Sequence, residues 1–387
     1  MEYKLGELVE QVTETNTELN FGLNDIVGVT IDKKIIPTIA NLKETDLKKF
    51  VIVSPNDFIY NPRTHGKKIG LGYNNADRKY IATWNNNTFR IKAEKRNTIL
   101  SDYLYLYFNR EIWDKEACFN SWGSSTVVFS WDSFCDMKIN LPDIEEQKSI
   151  VREYQVIEKR INILEKLNTK LYEITQLNYQ KLLSDYTVES DVLPANWNIA
   201  TIGQYVDVKS GYAFKSDWWK KRGNKVIKIG NIVNNTIDCV NCDCVDKDKS
   251  DRARDYQVKT GDLLIAMTGA TTGKVGIVPK INEKLWVNQR VGKFYLGNNP
   301  FDKLPFLFCT INSRDVHRQT HPNGETGSAQ DNLSPDDIKN IKIILPDECK
   351  VQEFNNKNKT MFENITNNNG EIIELCKIKE KILSKLL

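Results

Sequence analysis

The sequence is short of histidine, regular cysteine pairs and long apolar runs, and each shortage removes a class of function. Three histidines in 387 residues leave little material for a hydrolytic site. The eight cysteines lack a paired framework, and a chain of this size needs no disulfide staples, so we expect reduced thiols. No run approaches the ~18 apolar residues of a membrane span, and the polar start lacks a signal core. We therefore predict a cytoplasmic protein.

The sequence also lacks a large excess of charge of either sign. The 54 basic and 51 acidic residues leave a net charge of +3, so the whole molecule attracts nucleic acid only weakly. Any phosphate-binding surface must come from local clusters. The 40% apolar content of this length is enough for two cores of ordinary size, which predicts two domains.

Motifs that could carry nucleotide or methyl-transfer chemistry depart from the required patterns. The segment Met267–Gly276 (MTGATTGKVG) has three residues between its first two glycines, where a nucleotide loop has four, and Val275 stands where magnesium needs a hydroxyl. A tight glycine turn after a strand is the simpler interpretation. Asn61-Pro62-Arg63-Thr64 departs at its last two positions from the D/N-P-P-Y/F loop of amino-group methyltransferases. We therefore expect no catalytic residues in this chain.

A zinc site is the strongest metal hypothesis. Cys239, Cys242 and Cys244 have ligand-like spacing, and His317 with His321 forms an H-x3-H pair. The two groups are separated by about 70 residues, and a second close cysteine pair is lacking. Ordinary reduced cysteines are the favoured alternative, so we predict no metal.

An internal repeat is the most informative feature. Gly123–Pro142 aligns without a gap with Gly327–Pro346, 204 positions later, and eight of the twenty positions are identical. Chance predicts roughly one or two identities. Weaker similarities precede it in the same order: Leu5–Glu10 with Ile202–Asp207, and Val53–Ile59 with Val258–Leu264. Each copy begins with short β-favouring runs and turn residues, which indicates an α+β or mainly β globular domain.

A long helix is predicted after each copy. From Asp143 to Ser184 there is no glycine or proline, and apolar residues recur every three or four positions. The second tail has a similar stripe, with a predicted soft spot at Asn367–Asn369 and Gly370. The two seams would be buried by antiparallel pairing; the alternative is that each tail packs on its own domain. The predicted seams are Ile150, Tyr154, Ile157, Ile161, Leu164, Leu167, Leu171 and Ile174, and Phe354, Met361, Ile365, Ile372, Leu375, Ile382 and Leu386.

This order of parts resembles the specificity subunit of Type I restriction-modification enzymes. The resemblance rests on LPDIEEQKSIV at Leu141–Val151, LPDECKVQEF at Leu345–Phe354, and LPANWNIATIGQYVDVKSGYAF at Leu193–Phe214. The second copy departs by losing the EEQ string and keeping only Gln352. The implied fold is α+β, with two similar target-recognition domains separated by two long helices paired as an antiparallel coiled coil. The predicted boundaries are 1–142 and 185–346 for the domains, and 143–184 and 347–387 for the helical spacers.

The resemblance implies a non-catalytic subunit that binds double-stranded DNA. Each domain would read part of a split target, and the helices would recruit two methylation subunits and the restriction subunits. S-adenosylmethionine, ATP and Mg would belong to those partners, with no cofactor in this chain. A coiled-coil scaffold or adaptor with protein-binding globular ends is the alternative, and it predicts no salt-dependent DNA affinity.

Clusters of long cationic side chains among turn residues are the candidate DNA contacts. Solvated surface charge is the alternative for any single cluster. Tyr212, Phe214, Trp218 and Trp219 could pack against sugar or base, or could belong to the core. The candidates are Arg63, Lys67, Lys68, Arg78, Lys79, Lys215, Lys220, Lys221, Arg222, Arg252, Arg254, Arg314 and Arg318.

Overall fold

The computed structural model describes residues 1–38, 45–65, 67–122, 127–183, 186–321 and 332–386. The chain divides into two compact units. The first unit consists of Met1–Glu158 and Lys377–Leu387, and the second consists of Lys159–Cys376. Gly123 and Gly327, which open the sequence repeat, lie outside the described residues. The predicted domain boundaries stay a prediction.

The first unit combines short strands with four small helices and the ends of two long ones. Its four-stranded sheet has the order β2-β9-β6-β7, and three two-stranded pairs are β1-β10, β3-β4 and β5-β8. Single 3-10 turns occur at Leu23–Asp25, Leu47–Lys49 and Ala93–Lys95. The strands are β1 (Glu2–Lys4), β2 (Val9–Gln11), β3 (Val27–Val29), β4 (Ile35–Pro37), β5 (Val51–Val53), β6 (Phe58–His65), β7 (Lys68–Tyr73), β8 (Tyr80–Ala82), β9 (Asn87–Ile91) and β10 (Lys138–Asn140). The helices are α1 (Leu5–Leu8), α2 (Ser101–Phe108), α3 (Glu111–Phe119), α4 (Trp131–Asp136) and the first part of α5 (Ile144–Leu183).

Aromatic rings dominate the core of the first unit. Phe58, Phe89, Phe108 and Phe134 are fully buried, and Phe89 and Phe108 contact each other and the other two rings. Both long helices contribute side chains to this core. Val151 and Tyr154 come from α5, and Leu386 directly follows the C-terminal long helix, Glu348–Lys385. Burial of apolar surface is the dominant favourable contribution to folding, and each aromatic ring buries a large area of it.

The second unit has two larger sheets. Their strand orders are β12-β21-β18-β19-β15-β14 and β16-β13-β20-β17, beside the pair β11-β22. Single 3-10 turns occur at Ser216–Trp218, Ile229–Asn231, Arg254–Tyr256 and Pro300–Asp302. The strands are β11 (Asn198–Thr201), β12 (Asp207–Ser210), β13 (Asn224–Ile227), β14 (Ile232–Val233), β15 (Thr236–Ile237), β16 (Asp243–Val245), β17 (Gln257–Val258), β18 (Leu263–Ala266), β19 (Val275–Ile277), β20 (Leu285–Val287), β21 (Val291–Tyr295) and β22 (Lys342–Leu345). The helices are α6 (Ile202–Tyr205), α7 (Lys247–Arg252), α8 (Leu304–Ile311), α9 (Arg314–Thr320), α10 (Pro335–Asn340) and α11 (Glu348–Lys385).

The repeat identities have structural reasons. In each copy a serine, Ser130 or Ser334, accepts a hydrogen bond from the backbone N–H three residues later and caps a short helix. In each copy the aspartate after Leu-Pro caps the long helix: Asp143 accepts from Glu146 N and Asp347 from Lys350 N, at 2.9 and 3.0 Å. Short antiparallel pairs, β1 with β10 and β11 with β22, close each globular part. The two repeated α+β domains predicted from the sequence are therefore confirmed.

The long helices pair antiparallel within each unit, as predicted. In the second unit Arg160 forms two hydrogen bonds with the carboxylate of Glu371, and farther along α5 Asn178 donates to Asn358 Oδ1 at 2.8 Å. In the first unit Lys379 forms an ion pair with Glu158 at 3.2 Å. The residue numbers of the contacting partners increase along α5 and decrease along α11, so the two helices run antiparallel. Both helices also pack on the domains, because Tyr179 and Phe354 belong to the core of the second unit.

The predicted seam on α5 is partly wrong. Ile161 and Leu164 are buried as expected, but Leu167 and Ile174 are 45% and 44% exposed. Polar residues occupy the buried side instead: Asn168 donates to Asn369 Oδ1 and accepts from Asn368 Nδ2, both at 2.8 Å. A buried amide is tolerated because its hydrogen bonds are made, and apolar periodicity alone does not reveal such a pair.

The predicted soft spot at Gly370 is also wrong. Helix α11 runs without interruption from Glu348 to Lys385. Gly370 is buried against the backbone of Lys280, and an added Cβ there would collide with the Lys280 carbonyl oxygen. Lys280 N also donates to Thr366 O at 3.0 Å. The glycine thus permits a close contact between helix and loop, which is a common role for glycine in a packed helix.

Candidate DNA interface

A cluster of tryptophans and cations is the most distinctive surface of the second unit. Three cations surround the Trp218 ring, with Lys249 Nζ 5.2 Å from its centroid and Lys215 Nζ and Arg252 Cζ each 5.8 Å away. Lys228 Nζ lies 3.5 Å from the centroid of Trp219. We call these six residues the tryptophan cluster. Cations near an aromatic face are attracted by its quadrupole, and the cluster offers both a flat ring and positive charge to a ligand.

A small core fixes the tryptophan cluster in place. Phe214 is buried beneath it and contacts Trp219 with 5.7 Å between ring centroids. The chain reaches this position after β12 by passing close to the backbone of β20. An added Cβ on Gly211 would collide with the carbonyl oxygen of Val287, and Tyr212 N donates to that same oxygen at 2.8 Å. Glycine is therefore required where the loop crosses the strand.

The other predicted cations of the second unit make different contacts or lie in exposed turns and on another helix. Lys220 forms an ion pair with Asp246 at 2.5 Å. Lys221 and Arg222 are exposed in the turn before β13, and Arg254 is exposed in the 3-10 turn after α7. Arg314 and Arg318 are exposed on α9, which packs on a different core through Val316. Of the predicted set, the structure thus brings Lys215 and Arg252 to one ring.

Sequence reasoning missed Lys228 and Lys249. Lys249 and Arg252 are three residues apart on α7, so both can reach the same ring. That spacing is a usable signal once the segment is known to be helical. Lys228 also forms an ion pair with Asp243 at 2.6 Å, and its place over Trp219 depends on the pairing of β13 with β16. Nothing local in the sequence encodes that contact.

The predicted cations of the first unit form two groups. Arg63 lies on β6, and Lys67 and Lys68 lie at the turn between β6 and β7. Arg78 and Lys79 follow the opposite end of β7, where Arg78 Cζ lies 4.5 Å from the Tyr80 ring centroid. A strand of six residues spans about 20 Å. The two groups therefore cannot contact the same phosphate.

A buried acid–cation pair occurs at the same place in both copies. Asp57 Oδ2 accepts from Ser54 N at 2.8 Å and pairs with Arg90 at 3.0 Å. Asp262 Oδ2 accepts from Lys259 N at 2.9 Å and pairs with Lys293 at 2.7 Å. Burial raises the pKa of Asp57, whereas Ser54 N–H and Arg90 act in the opposite direction. In the first unit the pair connects the turn before β6 to the neighbouring strand β9. In the second unit it connects the turn before β18 to the neighbouring strand β21.

The loop Thr268–Lys274 is a hairpin turn between β18 and β19, as the simpler interpretation predicted. Three of its backbone N–H groups are used within the hairpin: Thr272 N donates to Gly269 O at 3.0 Å, Gly273 N to Ala266 O at 2.9 Å and Lys274 N to Thr271 O at 3.0 Å. Gly269 and Gly273 have φ of 83° and 80°, which favour glycine. A phosphate loop needs such N–H groups to point at the ligand.

Burial favours the protonated form of two thiols in the cysteine cluster, Cys242 and Cys244. Burial raises the pKa of Cys242 to about 12, whereas zinc binds the thiolate. Among the described residues, no group of three or more His, Cys, Asp and Glu side chains is arranged to hold a metal ion. His317 and His321 stack on each other with 4.6 Å between ring centroids.

Comparison with known proteins identifies the family. A family profile described as Type I restriction modification DNA specificity domain matches residues 1–173 and 194–382. The chain therefore belongs to this family, as the resemblance in its sequence indicated. Specificity subunits of this kind are non-catalytic, which agrees with the expected absence of chemistry in this chain.

Two curated relatives and one solved structure are similar to the chain. The Type I restriction enzyme MjaVIII specificity subunit of Methanocaldococcus jannaschii is 27% identical over 310 residues, covering 77% of this chain and 72% of the relative. The MjaIX specificity subunit of the same organism is 23% identical over 314 residues, covering 76% and 69%. The crystal structure of the S subunit of a Type I restriction-modification system from M. genitalium shares the fold, with TM-score 0.57, 15% identity and coverage of 100% and 96%.

A membrane-spanning role has no support in the described part of the chain. Every helix there is too short or too polar to cross a bilayer.

Proposed function

We propose that this chain reads a bipartite double-stranded DNA target, one half with each unit, and brings methylation and restriction subunits to it. The tryptophan cluster carries the DNA proposal. It joins cations that can reach phosphates to a ring that can contact sugar or base, a combination suited to nucleic acid. S-adenosylmethionine, ATP and Mg would be bound by the partner subunits. Because the proposed substrate is chromosomal DNA, the proposed location is the cytoplasm.

Exposed apolar side chains on the long helices support the recruitment of protein partners. In the second unit Ile163, Leu167, Ile174 and Leu177 share one face of α5 and are 44–57% exposed. In the first unit α5 and α11 line a groove of about 540 Å³ with Val156, Ile157, Ile378 and Ile382. Apolar faces of this kind on paired helices suit the apolar faces of further helices. The occupant we propose is the methylation subunit, of which two copies would bind.

Co-expression with a cognate methylation subunit, followed by methylome sequencing, tests the proposal. We expect adenine methylation in a split motif with a fixed gap. Binding of the purified complex to that duplex should weaken linearly on a log–log plot against salt. The double variant Lys249→Gln, Arg252→Gln should lower the slope by about one for each phosphate that the complex no longer neutralises. Absence of salt-dependent binding in the wild-type complex would favour the scaffold alternative.

A further inference from the structure

Two aromatic side chains near the β6–β7 hairpin of the first unit are unusually exposed. Phe119 ends α3 and is 87% exposed, and Trp122 follows it at 77%. Trp122 is held by its backbone: its N–H donates to Val128 O at 3.0 Å, and Val128 N donates to Trp122 O at 2.9 Å. Large apolar groups presented on a fixed backbone commonly mark an interaction surface.

Trp122 is presented beside a cation. Val128 bridges antiparallel to Arg63 on one side and to Trp122 on the other. Directly opposed residues in antiparallel pairs project from the same face, so these three side chains share one face. Two interstrand spacings place the Cα atoms of Arg63 and Trp122 about 10 Å apart. Phe129, the next residue, is fully buried and its N–H donates to Pro62 O at 2.7 Å, which secures the arrangement to β6.

The charged side chains on the β6–β7 hairpin are all positive. Arg63, Lys67 and Lys68 are exposed on the hairpin, while on the neighbouring helix Glu111 and Lys115 neutralise each other at 2.7 Å. An anionic ligand with flat apolar faces complements such a surface, and duplex DNA has both properties. Proteins that bend DNA insert apolar wedges at a base step while nearby cations hold the phosphates.

The support of Trp122 is common to both copies. Phe129 and Leu333 occupy the same repeat position, 204 residues apart. Leu333 N donates to Met267 O at 2.8 Å, as Phe129 N donates to Pro62 O. The same backbone hydrogen bond therefore fixes the chain to β6 in the first unit and to the residue directly after β18 in the second. An exposed residue such as Trp122 can therefore differ between proteins while the buried residue and the backbone hydrogen bond that support it stay the same.

We propose that Trp122 is a specificity-determining residue whose indole stacks against bases of one half-site, with Arg63 holding the DNA beside it. This inference rests on the proposed function, since it assigns a residue to target reading. It concerns the first unit alone, whereas the tryptophan cluster concerns the second.

The test uses the full chain bound to its methylation subunit, with the variants Trp122→Ala, Trp122→Phe, Trp84→Ala and Trp218→Ala. Trp84 is the matched control, because it is 51% exposed in the same unit and packs on Phe50 at 5.7 Å. We expect Trp122→Ala to bind the target about tenfold more weakly, equivalent to about 1.4 kcal/mol. One half of the methylated motif should lose definition while the other stays intact. Trp218→Ala should affect the opposite half, Trp122→Phe should retain most affinity, and Trp84→Ala should match the wild type.

A base probe separates stacking from a structural effect. With 2-aminopurine at successive positions of the half-site, the wild-type complex should change the fluorescence at one step, and Trp122→Ala should abolish that change. Unchanged affinity and motif in Trp122→Ala would overturn the inference and leave the proposed function standing. The inference would also be overturned if Trp122→Ala bound the methylation subunit less well while the complex that still formed kept its sequence specificity. Trp122 would then contact the partner protein. If the wild-type complex neither binds DNA salt-dependently nor methylates it, the proposed function fails first.

Discussion

The two units share their supports and differ in their surfaces. The capping serines, the capping aspartates and the buried acid–cation pairs recur at matching positions. In the second unit the tryptophan cluster packs on a separate four-stranded sheet, whereas in the first unit Arg63, Lys67 and Lys68 lie on the β6–β7 hairpin. A shared scaffold with divergent surfaces would suit the two half-site readers that we propose. The comparison can be tested by asking whether equivalent support residues have equal effects.

The acid–cation pairs should give the largest effect. We expect Asp262→Ala to destabilise the second unit by about 3–5 kcal/mol, because it leaves Lys293 only 15% exposed and without its carboxylate. Asp57→Ala should cost the first unit less, since Arg90 is 31% exposed and water can solvate it. Urea unfolding gives the free energy, and hydrogen exchange shows which unit loosens. Equal losses, or loosening of the other unit, would contradict this interpretation of the pairs.

Side-chain amides from the long helices should give a smaller effect. Gln147 is buried, accepts from Leu100 N at 3.0 Å and donates to Thr98 O at 2.9 Å. In the second unit Gln352 is exposed, and Asn355 instead accepts from Phe306 N at 2.9 Å. Each bond anchors the first turn of α2 or α8. We expect Gln147→Ala and Asn355→Ala to cost about 1–3 kcal/mol, since each leaves a backbone donor unpaired.

Gln352→Ala is the matched control for the amides. It changes an exposed side chain that bonds Glu348 at 3.1 Å, so its effect should stay within about 0.5 kcal/mol. The same urea titration measures all three variants. A loss in Gln352→Ala as large as in Asn355→Ala would show that the sequence alignment, and not the buried contact, identifies the equivalent residue.

The fold could be predicted from the sequence further than the interface could. The repeat and the uninterrupted helical tails are local patterns, and they led to two α+β domains and a pair of antiparallel helices. The buried Asn168 and the exposed Leu167 were missed because hydrophobic spacing does not report amide pairs across helices. Lys228 and Trp122 were missed because a β-sheet contact positions each of them. The role of Asn355 was not predicted, because the retained Gln352 is exposed and Asn355, three residues later, accepts the backbone N–H of Phe306.

Substitution of the equivalent glycines Gly6 and Gly203 should change the free energy of unfolding least. It compares the packing of α1 with that of α6. A Cβ on Gly6 would lie 2.8 Å from the Cβ of Cys135, an atom fixed to the backbone of α4. A Cβ on Gly203 would lie 3.1 Å from the Cβ of Lys339, where a shift of a few tenths of an ångström suffices. Alanine also favours the helix by about 1 kcal/mol over glycine. Gly6→Ala should therefore lose about 1 kcal/mol net, and Gly203→Ala should remain close to the wild type in the same unfolding experiment. Equal losses would mean that α1 and α6 approach their neighbours equally closely, and the first unit would then be no more tightly packed at this contact than the second.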